Sequence, residues 1–197
     1  MTSRNPFMLV AGLASGIFVL ALIGVMVWMS EGTPRSGTFG AAFSLVNDRG
    51  EEVDQSLFKG SPSLVYFGYT HCPEVCPTTL LDVTGYPKEL GEAGTPLKTY
   101  FFTVDPERDT PDIMHGYVTA FSDRITGITG TPEEMQKVIS GWRAYAKKQP
   151  NKSGGYSMSH TMDLFLIGAD GRLKGLIPYG APQDEAVEKI RGVLPQA

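Results

Sequence analysis

The chain has little cysteine, little net charge and no repetition. Two cysteines among 197 residues are too few for a disulfide framework, so Cys72 and Cys76 call for a specific explanation. With 17 Lys plus Arg against 21 Asp plus Glu the net charge is −4, which gives no basic footprint for nucleic acid. No internal repeat or low-complexity segment is present, which excludes a solenoid or a fibrous chain. The length suits one domain of ordinary size with an appendage.

What is abundant is apolar sequence at the amino end. Phe7 to Met29 is a run of 23 residues without a charge, and as a helix it spans about 34 Å, enough for a hydrocarbon core of about 30 Å. A cleaved signal has an apolar region of only about 7 to 15 residues, and VWMSEG is a poor cleavage site, so the run is expected to be an uncleaved single-pass anchor. Arg4 precedes the span and Glu31 follows it. That places residues 1–6 in the cytoplasm, 7–29 in the inner (cytoplasmic) membrane and the remainder in the periplasm or an equivalent exported compartment. Gly12 and Gly16 form a GxxxG pattern, which small residues produce often in membrane helices. Residues 30–40 (SEGTPRSGTFG) read as a flexible tether to an exported domain over 41–197.

Within that domain Phe43 to Val46 and Glu51 to Val53 flank the turn sequence Asn47-Asp48-Arg49-Gly50, an expected hairpin. Ser63 to Tyr69 (SLVYFGY) and Leu97 to Val104 read as strands buried on both faces. Helices are expected from Pro77 to Leu90, from the Thr110-Pro111 start to about Phe121, and from the capping box of Thr131 and Glu134 to about Tyr145. Ile125 to Ile128 is a short strand. Asp163 to Ile167 and Arg172 to Ile177 enclose the turn at 168–171, and a last helix covers Pro182 to Val193. The order hairpin, β, α, β, α, β, α, β, β, α predicts an α/β, thioredoxin-like fold: a central mixed sheet flanked by helices, with an N-terminal hairpin.

The reactive sequence is YFGYTHCPEVCPTTL at Tyr66 to Leu80. With both cysteines on the first helical turn, their i,i+4 spacing puts the thiols on one face with Cα atoms about 6 Å apart. That distance permits a disulfide and equally permits a shared metal. A helix N-terminus favours the thiolate in either case. His160 stands immediately before the strand at 163, where thioredoxin-like redox enzymes usually keep a cis-proline, and no proline occurs between Pro150 and Pro178. Two thiolates and one imidazole form a soft, low-coordination set suited to Cu(I), and with an added oxygen ligand to Cu(II). Structural zinc usually takes four protein ligands. His71 reads as solvated or as a neighbour of the ligands, with a fourth ligand as the lesser alternative, Met162 as core filling, His115 as structural or solvated, and the basic segment Arg143 to Lys152 as a solvated loop or a docking surface for an acidic partner.

FGYTHCPEVCPTTL, followed by TVDPERDTP at Thr103 to Pro111 and by a late histidine before a strand and a DG turn, resembles the SCO/SenC family of membrane-anchored copper proteins. The resemblance implies copper held by Cys72, Cys76 and His160, loading by a copper donor chaperone, and delivery to the CuA-containing subunit of cytochrome c oxidase. Many members have an acidic residue just before the histidine; this chain has Ser159 there, so Asp105 or Asp109 is expected to supply a nearby carboxylate. The alternative activity is a thiol:disulfide oxidoreductase, with Cys72 and Cys76 as redox thiols keeping the target's cysteines reduced. Thr70-His71-Cys72 gives T-x-C, not the T-x-x-C of peroxide-reducing thiols of this fold.

Overall fold

The computed structural model describes Gly24, residues 39–151 and residues 154–195. Apart from Gly24, the expected anchor at 7–29 lies outside these residues, as does the tether up to residue 38. Among the described residues no helix is long and apolar enough to cross a membrane.

Among the described residues from 39 onward, nine strands and four α-helices follow in chain order: β1 Ser44–Asn47, β2 Glu52–Asp54, β3 Ser63–Gly68, α1 Val75–Leu90, β4 Lys98–Thr103, α2 Pro111–Thr119, β5 Ile125–Thr129, α3 Pro132–Gly141, β6 Ala146–Pro150, β7 Tyr156–His160, β8 Leu164–Ile167, β9 Leu173–Ile177 and α4 Gln183–Arg191. Seven strands form one sheet in the order β2-β1-β5-β4-β3-β8-β9. The helix-linked pairs β3 with β4 and β4 with β5 are parallel, while the hairpin pairs β1–β2 and β8–β9 are antiparallel. This mixed sheet agrees with the thioredoxin-like expectation. Every residue of β3 is buried, as the unbroken apolar run requires of a strand covered on both faces.

Side-chain alternation along β3 and β4 divides the core. Phe67 and Phe102 point to one face and surround Trp142 with Phe58 and Phe165, at ring separations of 5.3 to 6.2 Å. Tyr66 and Phe101 point to the other face, where Phe101 meets Tyr117 of α2 at 5.6 Å. Phe39, near the end of the stretch read as a tether, stands edge-on to Trp142 at 5.1 Å, and its amide donates to Gly171 O. Gly40 beside it has φ +90, and a Cβ there would fall 2.3 Å from Trp142 Nε1, so only glycine lets the backbone pass the indole.

Two expectations are corrected. The helix α3 ends at Gly141, not near Tyr145, because Arg143 takes a left-handed φ of 54 and turns the chain away. The basic segment is not a loop: residues 146–150 form β6, paired antiparallel to β7 from Ala146↔His160 to Pro150↔Tyr156. AKKQP has no apolar alternation, and its strand form comes from backbone pairing with β7 and not from burial. His160 is therefore the last residue of a separate two-stranded sheet, four residues before β8 begins at Leu164.

Candidate metal centre

Cys72 does not sit on the helix. It lies in the turn three residues before Val75, where α1 begins, while Cys76 is the helix's second residue. Glu74, the residue preceding α1, makes no side-chain cap. Its role falls to sulfur: the Cys76 amide, an orphan donor at the helix start, points at Cys72 Sγ over 3.4 Å. Cys72 is half-buried and Cys76 fully buried; neither is in a disulfide.

His160 closes the group from the hairpin. Its Nδ1 lies 2.8 Å from Thr161 O, and a carbonyl only accepts, so Nδ1 carries the proton and Nε2 presents a lone pair. Nε2 stands 3.6 Å from Cys76 Sγ. Tyr66 and Tyr69 hold the ring edge-on, with centroids 6.1 and 5.7 Å away. Cys72 Sγ, Cys76 Sγ and an imidazole nitrogen of His160 all lie within 4.8 Å of one another. One ion bound to three soft donors at about 2.0 to 2.3 Å needs them roughly 3.5 to 4 Å apart, so these residues fit a three-coordinate soft metal with only small side-chain adjustment.

The two thiols are electrostatically unequal. The hydrogen bond from the Cys76 thiol holds Cys72 far below the ordinary thiol range; burial opposes this, and the backbone amides of Cys76 and Glu74 add to it. Cys76 is pushed up by the same hydrogen bond and by its burial. Thiolate character is thereby favoured at Cys72, the less buried of the two sulfurs. Tyr66 donates to Cys76 Sγ over 3.8 Å; burial above all raises its hydroxyl well above the usual phenol value, so it remains a donor.

Around the ligands the expected residues take distinct places. His71 is exposed, with Nδ1 3.0 Å from Thr70 Oγ1 and 3.9 Å from Asp109 Oδ1, and does not join the converging atoms. Asp109 is fully buried and accepts from Thr70 and Thr103; desolvation raises its pKa against those hydrogen bonds. Asp105 accepts from the Tyr156 hydroxyl. Met162 is 44% exposed, which corrects its reading as core filling: it lies in the short link between β7 and β8, before the sheet buries the chain again. His115 pairs with Asp48 at 2.7 Å, away from the centre. The sequence reading missed Tyr66, Tyr69, Arg108 and Tyr156. Alternation with Gly68 was the available signal for Tyr66.

Gly68 ends β3 directly beneath the centre. A Cβ there would lie 2.8 Å from Cys76 Sγ and 2.5 Å from the Phe101 ring. Gly68→Ala is expected to cost about 1–3 kcal/mol through overpacking, read as an earlier denaturant midpoint, and to displace the sulfur. An unchanged midpoint would show that the neighbours yield.

Residues 31–195 match the SCO1/SenC family. Protein SCO1 homolog, mitochondrial, of Homo sapiens is 38% identical over 135 residues, which are 67% of this chain and 45% of that protein. The copper-bound structure of Bradyrhizobium japonicum ScoI is similar with a TM-score of 0.72 and 38% identity, covering 79% of this chain and 99% of that one. Copper-bound Arabidopsis thaliana ScoI gives a TM-score of 0.73 at 30% identity, covering 78% and 99%. The chain spans 39 to 57% of the lengths of the first curated relatives it matches.

Proposed function

The chain belongs to the SCO1/SenC family, and on that premise we propose that it is a membrane-anchored copper-binding metallochaperone that delivers copper to the CuA centre of cytochrome c oxidase. The observation that carries the reading is the convergence of Cys72, Cys76 and His160 within 4.8 Å, from segments 84 residues apart. Family membership supports the delivery target, and the uncharged run at 7–29 supports the anchor. Copper in this reading is cargo, received from a donor chaperone and handed to the CuA-containing subunit. When bound it is a soft ion retained by two thiolates and an imidazole. Cys72 already offers a thiolate, Cys76 gives up its proton on binding, and the Thr161 carbonyl keeps the His160 lone pair aimed inward. The half-exposure of Cys72 and His160 leaves the acceptor's thiolates an approach for ligand exchange.

The test is transfer. Copper-loaded full chain in detergent micelles is mixed with purified, copper-free CuA domain, and copper is measured in each after separation. Transfer is expected, and it should be lost with Cys72→Ala or Cys76→Ala. An acceptor that takes copper from a small-molecule complex but none from this protein would sink the delivery reading. In a competition titration His160→Ala is expected to weaken Cu(I) binding about a hundredfold, the share of one ligand in a several-ligand site. Parent-like affinity in that variant would rule out the imidazole as a ligand.

The unequal thiols favour a second reading, a thiol:disulfide oxidoreductase. The Cys72 thiolate attacks a disulfide in the CuA domain, and Cys76 then displaces the target and closes an internal disulfide. Two electrons pass from the pair Cys72 and Cys76 to the target disulfide; the Cys76 proton goes to the first target sulfur released, and the second takes its proton from solvent. Metal-free protein would then reduce an oxidised CuA-domain peptide, with His160→Ala retaining most of the activity. Absence of reduction at micromolar protein would remove this reading.

A further inference from the structure

The centre is assembled from two pieces that no sheet ladder joins. The cysteines hang between β3 and α1, whereas His160 ends the hairpin of β6 and β7, which pairs with no strand of the main sheet. Both pieces touch the loop at 105–109. On the cysteine side, Asp109 accepts from Thr70 N at 3.1 Å, Thr70 Oγ1 at 2.6 Å and Thr103 Oγ1 at 2.6 Å. Thr103 Oγ1 is itself the acceptor for the Asp105 amide at 2.9 Å, so its proton is committed to Asp109. Three donors on two oxygens require a group that only accepts, which is a carboxylate and not an amide.

On the histidine side, Asp105 is 1% exposed. It accepts from the Tyr156 hydroxyl at 2.8 Å and from Arg108 Nε. The Arg108 guanidinium lies 3.9 Å over the Tyr156 ring, and its Nη1 reaches Tyr156 O at 3.4 Å. Tyr156, Met158 and His160 alternate onto one side of β7, so the residue that the loop grips points the same way as the ligand. The exposed pair of Lys148 and Glu107 at 2.6 Å spans the same gap but adds little in solvent.

We propose that Asp105 and Asp109 are positioning residues that clasp the histidine hairpin to the cysteine loop, so that the three ligand atoms are assembled before the metal arrives. The proposal rests on the copper reading above. Preassembly removes the cost of ordering the hairpin at the moment of binding, and loss of such a supporting contact typically weakens a metal site by about 10–100-fold.

Because Tyr156 acts through His160, and Thr70 through the cysteine loop, the two make opposite predictions in one background. Full-length protein in detergent micelles, fully reduced, is titrated with Cu(I) against a chromophoric chelator. Tyr156→Phe, which keeps the ring and removes the hydroxyl, is expected to weaken binding about tenfold in the parent and to have no effect in His160→Ala. Thr70→Val, which removes one of the bonds to Asp109, is expected to weaken binding severalfold in both. In the metal-free protein, His160 imidazole NMR signals should broaden in Tyr156→Phe and stay sharp in Thr70→Val. Two results overturn the clasp while leaving the copper reading intact: Tyr156→Phe binding within twofold of the parent, or its full factor recurring on top of His160→Ala. A Tyr156→Phe variant that melts well below the parent without the NMR change marks a structural role and equally overturns it. A parent that takes up no Cu(I), or a His160→Ala variant that binds as tightly as the parent, overturns both.

Discussion

Cys76→Ser is expected to weaken Cu(I) binding by about a hundred- to a thousandfold while leaving the domain folded. Structural sites bind a soft ion with about 10–16 kcal/mol spread over four ligands, roughly 2.5–4 kcal/mol each, and about 1.4 kcal/mol corresponds to a tenfold change. Serine fills nearly the same space, so the fully buried position opens no cavity. The substitution also keeps a hydrogen-bonding group: the Tyr66 hydroxyl, which now points to Cys76 Sγ, can donate to the serine oxygen instead. What disappears is a soft donor that can shed its proton, since a serine hydroxyl cannot do so near neutral pH. Cys72→Ser should lose a similar factor for a different reason. Cys72 is the sulfur whose pKa the neighbouring Cys76 thiol lowers, so its loss removes the thiol that ionises more readily and leaves only the buried one. A competition titration on both variants, with the melting point of the metal-free protein as the control for folding, decides the matter. Parent-like affinity in Cys76→Ser would remove the buried sulfur from the ligand set.

The sheet was legible wherever burial wrote it into the sequence. SLVYFG and KTYFFT become β3 and β4 because an unbroken apolar run between turn signals suits a strand covered on both faces. The capping box of Thr131 and Glu134 forms as expected, the amide of each residue donating to the side chain of the other at 3.0 and 3.3 Å. The hairpin of β6 and β7 was illegible because partnership makes it and burial does not: Lys147, Lys148 and Gln149 are exposed, and nothing in AKKQP alternates. That omission affected the site. His160 was expected to enter the β8 strand directly, and instead it ends a strand of its own. The residue types of the centre could be read from the chemistry of two sulfurs and a late imidazole. The means of holding them together could not. The contact from Asp109 to Thr70 spans 39 residues and that from Asp105 to Tyr156 spans 51, and no local spacing rule reaches so far. Cys72 illustrates the limit from the other direction: i,i+4 spacing suggested two thiols on one helical turn, yet a sulfur outside the helix comes equally close by capping its start.

The opposite face of the sheet carries the largest expected effect on stability. Trp142 is 1% exposed and meets Phe39, Phe58, Phe67, Phe102 and Phe165, all with centroids within 6.2 Å. Trp142→Ala removes the common neighbour of β3, β4, β8 and the segment at 39, which cannot all close on the space. The cost is expected near 3–5 kcal/mol, and for a domain of this size each kcal/mol lowers the melting point by about 2–4 °C, giving a drop on the order of 10 °C. Trp142→Phe should lose much less than its volume change suggests. The indole Nε1 is buried without a hydrogen-bond partner, so phenylalanine discards an unsatisfied donor along with the extra ring. Because Phe67 points toward Trp142 while Tyr66 points toward Cys76 and His160, either variant, measured below its melting point, should bind Cu(I) within about twofold of the parent. Calorimetry beside the chelator titration separates the two faces. A Trp142→Ala protein that melts within about 2 °C of the parent would show that the aromatic cluster closes over the gap, and a large loss of copper affinity in Trp142→Phe would show that the faces are coupled through β3.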